Sequence, residues 1–328
     1  MSQGQWCVSL TRPLRMLGVL GVLGACSGSA TDGKSAQDGS GRSADTGSDS
    51  DTGSDSGDSP QPVRVYLLAG QSNMEGYGPL TESDLDGWPL TGSLEALIDG
   101  GAEDPAILRA REDVWVHFDS DAEVHAPGLL EPGFGASPRF LGPELGMGHQ
   151  LGEAAASSII LYKSATGGTT LGRDWRSPSS GETGPLYSRM IGGFGDFMDS
   201  DLPEGFADEG VELAGFVWLQ GWNDQFEDGF VEAYEDNLVS LIEDVRADLG
   251  TPELPVVVVE GPTLLEELRQ ARLGAIARLD AELPGRQVHV ATEDLVDEEL
   301  EGNFHFHFNA ANYLEVGRRA ATAMQSFD

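Results

Sequence analysis

Five short apolar runs follow residue 62, and segments with helical periodicity separate them. The runs are VRVYLLAG (63–70), SSIILYKS (157–164), LAGFVWLQG (213–221), LPVVVVEG (254–261) and the weaker QVHVA (287–291). Short bounded runs rich in β-branched and aliphatic residues indicate buried strands. Five other segments carry apolar residues at spacings of three and four, which predicts helices; they are residues 142–156, 184–198, 229–250, 263–283 and 309–324.

Strands that alternate with helices predict a parallel sheet covered on both faces. We therefore expect one α/β domain over residues 63–328, a three-layer α/β/α fold of the flavodoxin-like kind with a mostly parallel sheet of about five strands. The exception is the turn-rich region 79–138, which contains one hairpin-like piece, REDVWVHFDSDAEVHA (111–126). Because it is long for a structureless loop, we expect it to pack over the sheet edge and to contribute to function.

The first 62 residues predict export and attachment to a membrane, and we do not expect them to be part of the folded domain. Arg12 and Arg15 precede a short apolar stretch, which predicts a signal peptide over residues 1–25. The sequence LGAC, ending at Cys26, resembles a bacterial lipobox, whose cysteine carries lipid. Residues 26–62 are rich in Ser, Gly and Asp and predict a disordered tether. The expected location is outside the cytoplasm of a bacterium, lipid-anchored to the outer membrane or cell surface, or else secreted.

The charge balance excludes some classes of binding partner. The chain has 19 basic and 55 acidic residues and a net charge of −36. Such a surface repels nucleic acid and anionic lipid, so we expect no nucleic-acid partner and membrane contact through the lipid anchor only. Cys7 would leave with the leader and Cys26 would carry lipid, so no disulfide is expected. The histidines show no metal-ligand spacing, so neither a metal site nor a cofactor is predicted.

Chemistry-bearing residues follow the predicted strands. The segments are GQSNM (70–74), SATGG (164–168), QGWND (220–224) and, after the fifth strand, HFHFN (305–309). The carboxyl ends of parallel strands share one edge, where ligands bind in open α/β sheets. Acyl transfer needs a nucleophile, a base and donors for the oxyanion. Ser72, a histidine near the chain's end, and N–H groups at Gly167, Gly168 and Asn223 could meet these needs, although Ser72 could also serve as a helix cap.

These motifs carry a family resemblance that covers nearly all of the chain after the tether. The chain resembles an SGNH hydrolase of the sialate O-acetylesterase and acetyl xylan esterase type, whose mark is GQSNM after the first strand. Further matching pieces are LGPELGMGHQLGE (141–153), KSATGG (163–168), GFVWLQGWND (215–224) and HFHFNAANYLEVGRRAA (305–321). The resemblance implies a serine hydrolase that removes O-acetyl groups from carbohydrates, with the natural acetylated glycan, xylan or sialic acid type, left open.

The resemblance also implies roles for individual residues. Ser72 is the implied nucleophile, and its own N–H, the block around Gly167 and Gly168, and the amide of Asn223 would bind the oxyanion. In this family a histidine stands ten residues before the glycine of a terminal helix, so Gly317 indicates His307 as the base. His305 is the alternative. On an extended segment residues two apart point the same way, so both histidines could face the cleft.

The chain departs from the family pattern at the acid that orients the base. Phe304 stands where a triad aspartate is expected, and Trp222 stands where related esterases carry a glutamate. Asp224 is the best remaining candidate, with a helix cap as its alternative role. Orientation by a backbone carbonyl or by Glu301 is also open, and a dyad would still support a slower reaction.

Aromatic and amide groups in the same motifs predict substrate contacts, because aromatic faces suit sugar rings. The expected substrate-binding residues are Gln71, Gln220, Trp175, Trp222 and His305. Two functions follow from this reading. The first is a carbohydrate O-acetylesterase, and the second is a surface carbohydrate-binding protein that keeps the fold but has little or no turnover, which the missing acid positions would explain.

Overall fold

The computed structural model describes residues 61–85, 92–120, 125–206, 210–297 and 302–327. The predicted leader, lipidated Cys26, nearly all of the tether and Glu301 lie outside these residues. Within the described part of the chain, no helix is both long and apolar enough to cross a bilayer.

A seven-stranded sheet forms the centre of the domain. Its strands are β1 (Val63–Gly70), β3 (Arg111–Asp119), β4 (Gly128–Leu130), β6 (Ile159–Ala165), β7 (Val211–Leu219), β8 (Val256–Val259) and β9 (Gln287–Val290). The order across the sheet is β4-β3-β6-β1-β7-β8-β9. Every neighbouring pair is parallel except β3 and β4, which are antiparallel. A separate two-stranded piece joins β2 (Gly78–Pro79) to β5 (Phe140–Leu141).

The prediction of a mostly parallel α/β sheet is confirmed, and the sheet has seven strands where about five were expected. The five apolar runs form β1, β6, β7, β8 and β9. The sixth parallel strand is β3, which the sequence presented as half of a hairpin. Its side chains alternate between buried and more exposed, because it lies next to the edge strand β4. That alternation is typical of a half-covered strand and does not distinguish a hairpin from the border of a larger sheet.

Helices cover both faces of the sheet. They are α1 (Ser72–Glu75), α2 (Leu94–Asp99), α3 (Pro143–Ala154), α4 (Pro185–Ser200), α5 (Phe230–Asp248), α6 (Glu266–Glu282) and α7 (Ala310–Gln325). One buried apolar cluster joins α3 and α7 to the sheet, and a second joins α4, α5 and α6 to it. Alternate residues of β8 enter opposite clusters: Val256 belongs to one and Val257 to the other. These two clusters make the three layers that the periodicity predicted.

The helix starts follow local rules that the sequence carries. Pro143 and Pro185 occupy the first helical positions of α3 and α4, where a missing N–H costs nothing. The turn-rich region predicted over 79–138 contains α2, β3, β4 and two 3₁₀ turns in its described part. It therefore extends the sheet at one border and brings Ser120, just past the end of β3, to the carboxyl edge.

Candidate active site

The nucleophile segment, residues 70–77, begins where β1 ends in the middle of the sheet. The Gln71 N–H donates to the Leu219 carbonyl at 3.2 Å, and the Thr166 N–H donates to the Gly70 carbonyl at 3.2 Å. A Cβ on Gly70 would lie 2.1 Å from the Leu219 carbonyl oxygen, so only glycine fits there. Ser72 then opens the single turn of α1, where the first N–H groups have no partner within the helix.

A buried ion pair supports this segment from below. Lys163 on β6 is fully buried, and its Nζ donates to the Glu144 carboxylate at 2.8 Å and to the Glu75 carbonyl at 2.7 Å. It also donates to the carbonyl oxygen of Phe134. An ammonium group without water needs several such partners. The end of α1 is therefore tied to the sheet through one cation.

An amide network orients Asn223. The Gln71 Nε2 donates to the Asn223 Oδ1 at 2.8 Å, and the Gln71 Oε1 accepts from Gln220 Nε2 and from the Gly221 N–H, each at 3.1 Å. Gln71 fixes the orientation of the Asn223 amide through its Oδ1. No described residue accepts a hydrogen bond from the Nδ2 of this amide, so Nδ2 is available to the cleft that Asn223 lines. Gln71 and Gln220 are almost fully buried. They position Asn223, whereas the sequence suggested direct contact with substrate.

Asp224 holds the loop that follows β6. Its carboxylate accepts the backbone N–H of Leu171 at 3.1 Å and of Gly172 at 3.0 Å, and the Gln220 Nε2 at 2.6 Å. The side chain is completely buried, and burial raises its pKa, which the hydrogen bonds partly offset. These hydrogen bonds are made with the β6 loop and with Gln220 and with neither histidine. This differs from the sequence-based placement of Asp224 as the acid that orients the base.

The two glycines of the SATGG motif differ in their surroundings. Gly167 lies beside the Glu75 carboxylate, whose pKa its N–H lowers, and a Cβ on Gly167 would lie 3.5 Å from the Ser72 Cβ. Gly168 has a φ of +75°, a left-handed conformation that favours glycine. Among the described residues, none accepts a hydrogen bond from the Gly168 N–H. Gly168 therefore has its donor available at the cleft, whereas the Gly167 N–H lies next to a carboxylate of the protein.

His305 lies in an aromatic cluster at the mouth of the site. Its ring stacks on Tyr77 with centroids 4.3 Å apart and planes 5° apart, and it meets the edge of Phe308 at 5.1 Å. Phe304 packs beside it at 4.6 Å. The Nδ1 atom is buried, and no described residue is its hydrogen-bond partner. Burial lowers the pKa of His305 to about 4, so the ring is neutral near pH 7.

His307 has different surroundings. Its Nε2 accepts the backbone N–H of Asp297 at 2.8 Å, and its side chain is buried. The segment is not extended: Phe306, His307 and Phe308 all have positive φ, so the two histidines do not share one direction. Phe306 instead enters the core against Tyr313. This turn explains why the expectation of two histidines facing the cleft does not match the structure.

The groups above meet in one cleft of about 580 Å³ at the carboxyl edge of the sheet. Ser72, Gly167, Gly168, Trp222, Asn223 and His305 line it, together with Glu75, Tyr77, Ser120, Thr166 and Phe304. His307 and Asp224 are not among the lining residues. The cleft lies beside β1, whose neighbours β6 and β7 lead to opposite halves of the sheet, the usual ligand position in such folds.

The two tryptophans proposed as sugar platforms have different environments. Trp222 is half-buried and lines the cleft, where its ring meets Phe304 at 5.9 Å and Phe226 at 5.7 Å. Trp175 is fully buried, donates from Nε1 to Thr169 at 2.9 Å and packs against Trp218. Its burial corrects the expectation that it contacts a sugar, because the ring has no surface to offer.

Sequence reasoning missed three residues of the site, Asn73, Glu75 and Tyr77. Asn73 Nδ2 donates to the Phe304 carbonyl at 2.9 Å and so links the nucleophile segment to the histidine segment. Glu75 lies one turn after Ser72, which places both on one face of α1. This spacing could have indicated Glu75 as a site residue. No local sequence pattern indicates Tyr77, because its contact with His305 joins residues far apart in the chain.

Glu75 and Tyr77 form a polar pair within the cleft. Both side chains line the cleft, and each shifts the pKa of the other. Burial raises the pKa of Glu75, while the Gly167 N–H, Lys163 and Tyr77 lower it in part. Burial and the nearby Glu75 raise the pKa of Tyr77 to about 12. In the described part of the chain, no group of three or more His, Cys, Asp or Glu side chains is arranged to hold a metal ion.

Comparison with known proteins agrees with this geometry. Residues 62–326 match the family described as "Carbohydrate esterase, sialic acid-specific acetylesterase". The chain belongs to this family. The chain is also similar to a probable carbohydrate esterase of Arabidopsis thaliana, with 26% identity over 247 residues, 71% of this chain and 85% of the plant protein.

Solved structures of similar fold include carbohydrate esterases. The crystal structure of the same Arabidopsis protein aligns with a TM-score of 0.55 at 20% identity, over 81% of this chain and 99% of the plant chain. A carbohydrate acetylesterase from Xanthomonas citri aligns with a TM-score of 0.50 at 18% identity, over 79% of this chain and 55% of that one. At these identities the alignments establish the shared fold alone.

Proposed function

We propose that this carbohydrate esterase is a serine hydrolase that removes acetyl groups from the hydroxyls of a carbohydrate, with Ser72 as nucleophile and His305 as base. The observation that carries the proposal is the shared cleft: Ser72, His305 and the donors of Gly168 and Asn223 all line it. The assignment of the base differs from the sequence-based one, because Nε2 of His307 accepts the Asp297 N–H.

In the proposed reaction the Ser72 Oγ attacks the acetyl carbonyl carbon while His305 Nε2 takes the hydroxyl proton. Nδ1 of His305 is buried, which leaves Nε2 for this transfer. The negative charge that develops on the carbonyl oxygen is held by the N–H groups of Ser72 and Gly168 and by Asn223 Nδ2. Collapse of this intermediate breaks the bond to the sugar oxygen, which receives the proton from His305. Water activated by His305 then cleaves the acetyl-serine and releases acetate.

Aromatic packing orients the base in this proposal. In a triad a carboxylate holds the histidine ring, but the Asp224 carboxylate is occupied by the β6 loop and Gln220. The flat stack on Tyr77 and the edge contact with Phe308 restrict the ring of His305 instead. The predicted mechanism is therefore a Ser–His dyad, with lower turnover than a full triad would provide.

The test is hydrolysis of 4-nitrophenyl acetate and of an acetylated xylo-oligosaccharide by the wild type and by Ser72→Ala. We expect the variant to lose at least about a thousandfold in kcat on both esters. Ser83→Ala, an exposed serine in a 3₁₀ turn, is the control and should keep full activity. Equal rates for Ser72→Ala and the wild type would reject a serine mechanism.

Nδ1 of His305 has no hydrogen-bond partner among the described residues, which favours one second candidate, a carbohydrate-binding protein with little turnover. The same assay separates the two functions when it is combined with calorimetric titration of an acetylated oligosaccharide. Binding without Ser72-dependent release of acetate would support the second candidate.

We further propose, from the sequence alone, that a lipid on Cys26 anchors the esterase outside the cytoplasm. A leader with LGAC at its end and a polar tether support this proposal. Cys26→Ser should move the protein from the membrane fraction to the soluble fraction, and mass spectrometry of the wild type should find an acylated N-terminal cysteine. A wild-type protein without lipid would refute the anchor.

A further inference from the structure

The charge that a ligand meets in the cleft is negative. Glu75 lines the cleft, and its carboxylate lies beside Gly167. The cation behind it, Lys163, is fully buried and is bonded to Glu144 and to two carbonyl oxygens. Among the described lining residues, an incoming sugar therefore meets a carboxylate and no ammonium group.

The rest of the lining is uncharged. Tyr77, Trp222 and Phe304 supply aromatic faces, and Ser120 and Thr166 supply hydroxyl groups. Aromatic faces stack on the C–H surfaces of sugar rings, and hydroxyl groups exchange hydrogen bonds with sugar hydroxyls. Phe226 extends the aromatic row outward, since it is 60% exposed and meets Trp222 edge-on at 5.7 Å.

A second groove, lined by carboxylates, lies beside the cleft. It has a volume of about 760 Å³, and its wall includes Gln225, which follows the cleft residues Trp222 and Asn223 in the chain. Six carboxylates line it: Glu227, Asp228, Glu232, Glu235, Glu266 and Glu267. Three arginines contact this lining, Arg173 at Glu227 (3.5 Å), Arg278 at Glu235 (3.2 Å) and Arg269 at Glu266 (3.8 Å). Carboxylates outnumber these cations, because Asp228, Glu232 and Glu267 have no arginine partner in the described part of the chain.

We propose that the substrate is an uncharged acetylated glycan, and that the carboxylates of the cleft and the adjoining groove exclude acetylated sugars that carry a carboxylate, sialic acids included. This inference rests on the proposed esterase function and adds its substrate class. Proteins that bind carboxylates use arginine or lysine pairs, and the charged side chain on this wall is of the opposite sign. The preference is opposite to the sialic acid named in the description of the family.

The test compares two acetylated methyl glycosides that differ in one group: that of glucose and that of glucuronic acid with its carboxylate free, each acetylated at the same hydroxyl. At pH 7 and about 0.05 M salt we expect kcat/KM for the glucoside to exceed that for the glucuronate about 10- to 100-fold. At about 0.5 M salt the ratio should narrow several-fold, because salt screens exposed charges. Equal rates, a preference for the glucuronate or a ratio that salt does not change would overturn the inference.

A matched pair of variants tests whether the charge near the mouth is the cause. Phe226→Arg adds a cation beside Trp222, and Leu108→Arg adds the same cation before β3, at the opposite edge of the sheet. The two side chains are similarly exposed, 60% and 52%. Phe226→Arg should lower the glucoside-to-glucuronate ratio about threefold or more, and Leu108→Arg should leave it unchanged. Equal effects of the two variants would contradict the proposal.

The same experiment separates failure of the inference from failure of the proposed function. If neither ester shows Ser72-dependent hydrolysis, the esterase function fails and the substrate class fails with it. If both esters are hydrolysed equally and Ser72→Ala abolishes both reactions, the esterase function stands and the charge selectivity is wrong.

Discussion

The nucleophile segment (residues 70–77) and the histidine segment (residues 302–309) face each other across the cleft but are held by different forces. Backbone hydrogen bonds to both neighbouring strands, the amide network of Gln71 and the buried Lys163 hold the first. Stacked rings around His305 hold the second, together with hydrogen bonds to the Phe304 carbonyl and to His307, and no buried cation is bonded to it among the described residues. Its backbone contains three consecutive non-glycine residues with positive φ. Such conformations cost free energy and persist only where packing imposes them.

The difference predicts which substitutions damage each side. Polar and charged contacts have strict partners, so removing one leaves a buried group unsatisfied. Aromatic contacts are less directional, so a ring can replace a ring. The nucleophile segment should therefore respond to changes of charge and hydrogen bonding, and the histidine segment to changes of shape.

The largest expected effect separates the two histidines. His305→Ala should lower kcat about 10²- to 10⁴-fold on an acetylated sugar, because the base is lost. His307→Ala should lower kcat less than about tenfold, since its bond to Asp297 is structural. Steady-state kinetics on one substrate measures both. A larger loss of kcat for His307→Ala than for His305→Ala would show that His307 is the base.

The next effect concerns stability on the nucleophile side. Lys163→Met should cost about 3–5 kcal/mol of unfolding free energy, because Glu144 would keep a buried carboxylate without its cation. Arg319→Met removes a cation of a half-exposed surface pair with Asp294 and should cost less than about 1 kcal/mol. Urea denaturation compares them, and equal losses would show that the buried pair is not the support we describe.

Asn223→Ala should lower kcat about 10²- to 10³-fold and change KM far less, because an oxyanion donor acts in the transition state. Gln71→Ala should reproduce part of this loss by freeing the Asn223 amide to rotate. A rise in KM at constant kcat would instead assign Asn223 to substrate binding.

Tyr77 sharpens the comparison from the aromatic side. Tyr77→Leu should lower kcat roughly two- to tenfold by removing the stack on His305, whereas Tyr77→Phe keeps the ring and most of the activity. Tyr77→Leu should also move the acidic limb of the pH profile upward, because water would reach His305 and raise its pKa. A purely structural tyrosine would leave that limb in place.

The smallest expected effect is the pH dependence near neutrality. Burial lowers the pKa of His305 to about 4, and the neutral ring is the active base. The rate should therefore stay within about twofold from roughly pH 5 to 8 and fall about tenfold per unit below about pH 4. A kcat/KM profile with a midpoint near the ordinary histidine value of about 6.5 would contradict His305 as the base.

The sequence by itself determined the fold class and the position of Ser72 after the first strand. Short continuous apolar runs and helical stretches of period 3.6 are local properties, so five parallel strands and the helices α3 to α7 followed from them. Ser72, Gly168 and Asn223 follow directly on strands β1, β6 and β7, and the carboxyl ends of parallel strands always meet at one edge. The sequence did not identify β3 as a strand of the main sheet, because its half-buried pattern also fits a hairpin.

Only the tertiary structure decided which histidine lines the cleft with Ser72 and which polar groups bond to one another. His305 and His307 are two residues apart, so their directions depend on a left-handed turn that packing with Tyr77 and the core imposes. The bonds of Asp224 to the β6 loop, and of Gln71 to Asn223, join residues about 50 and 152 positions apart. No local sequence pattern encodes contacts between residues so far apart in the chain, because the contacts form only when the sheet brings its strand ends together.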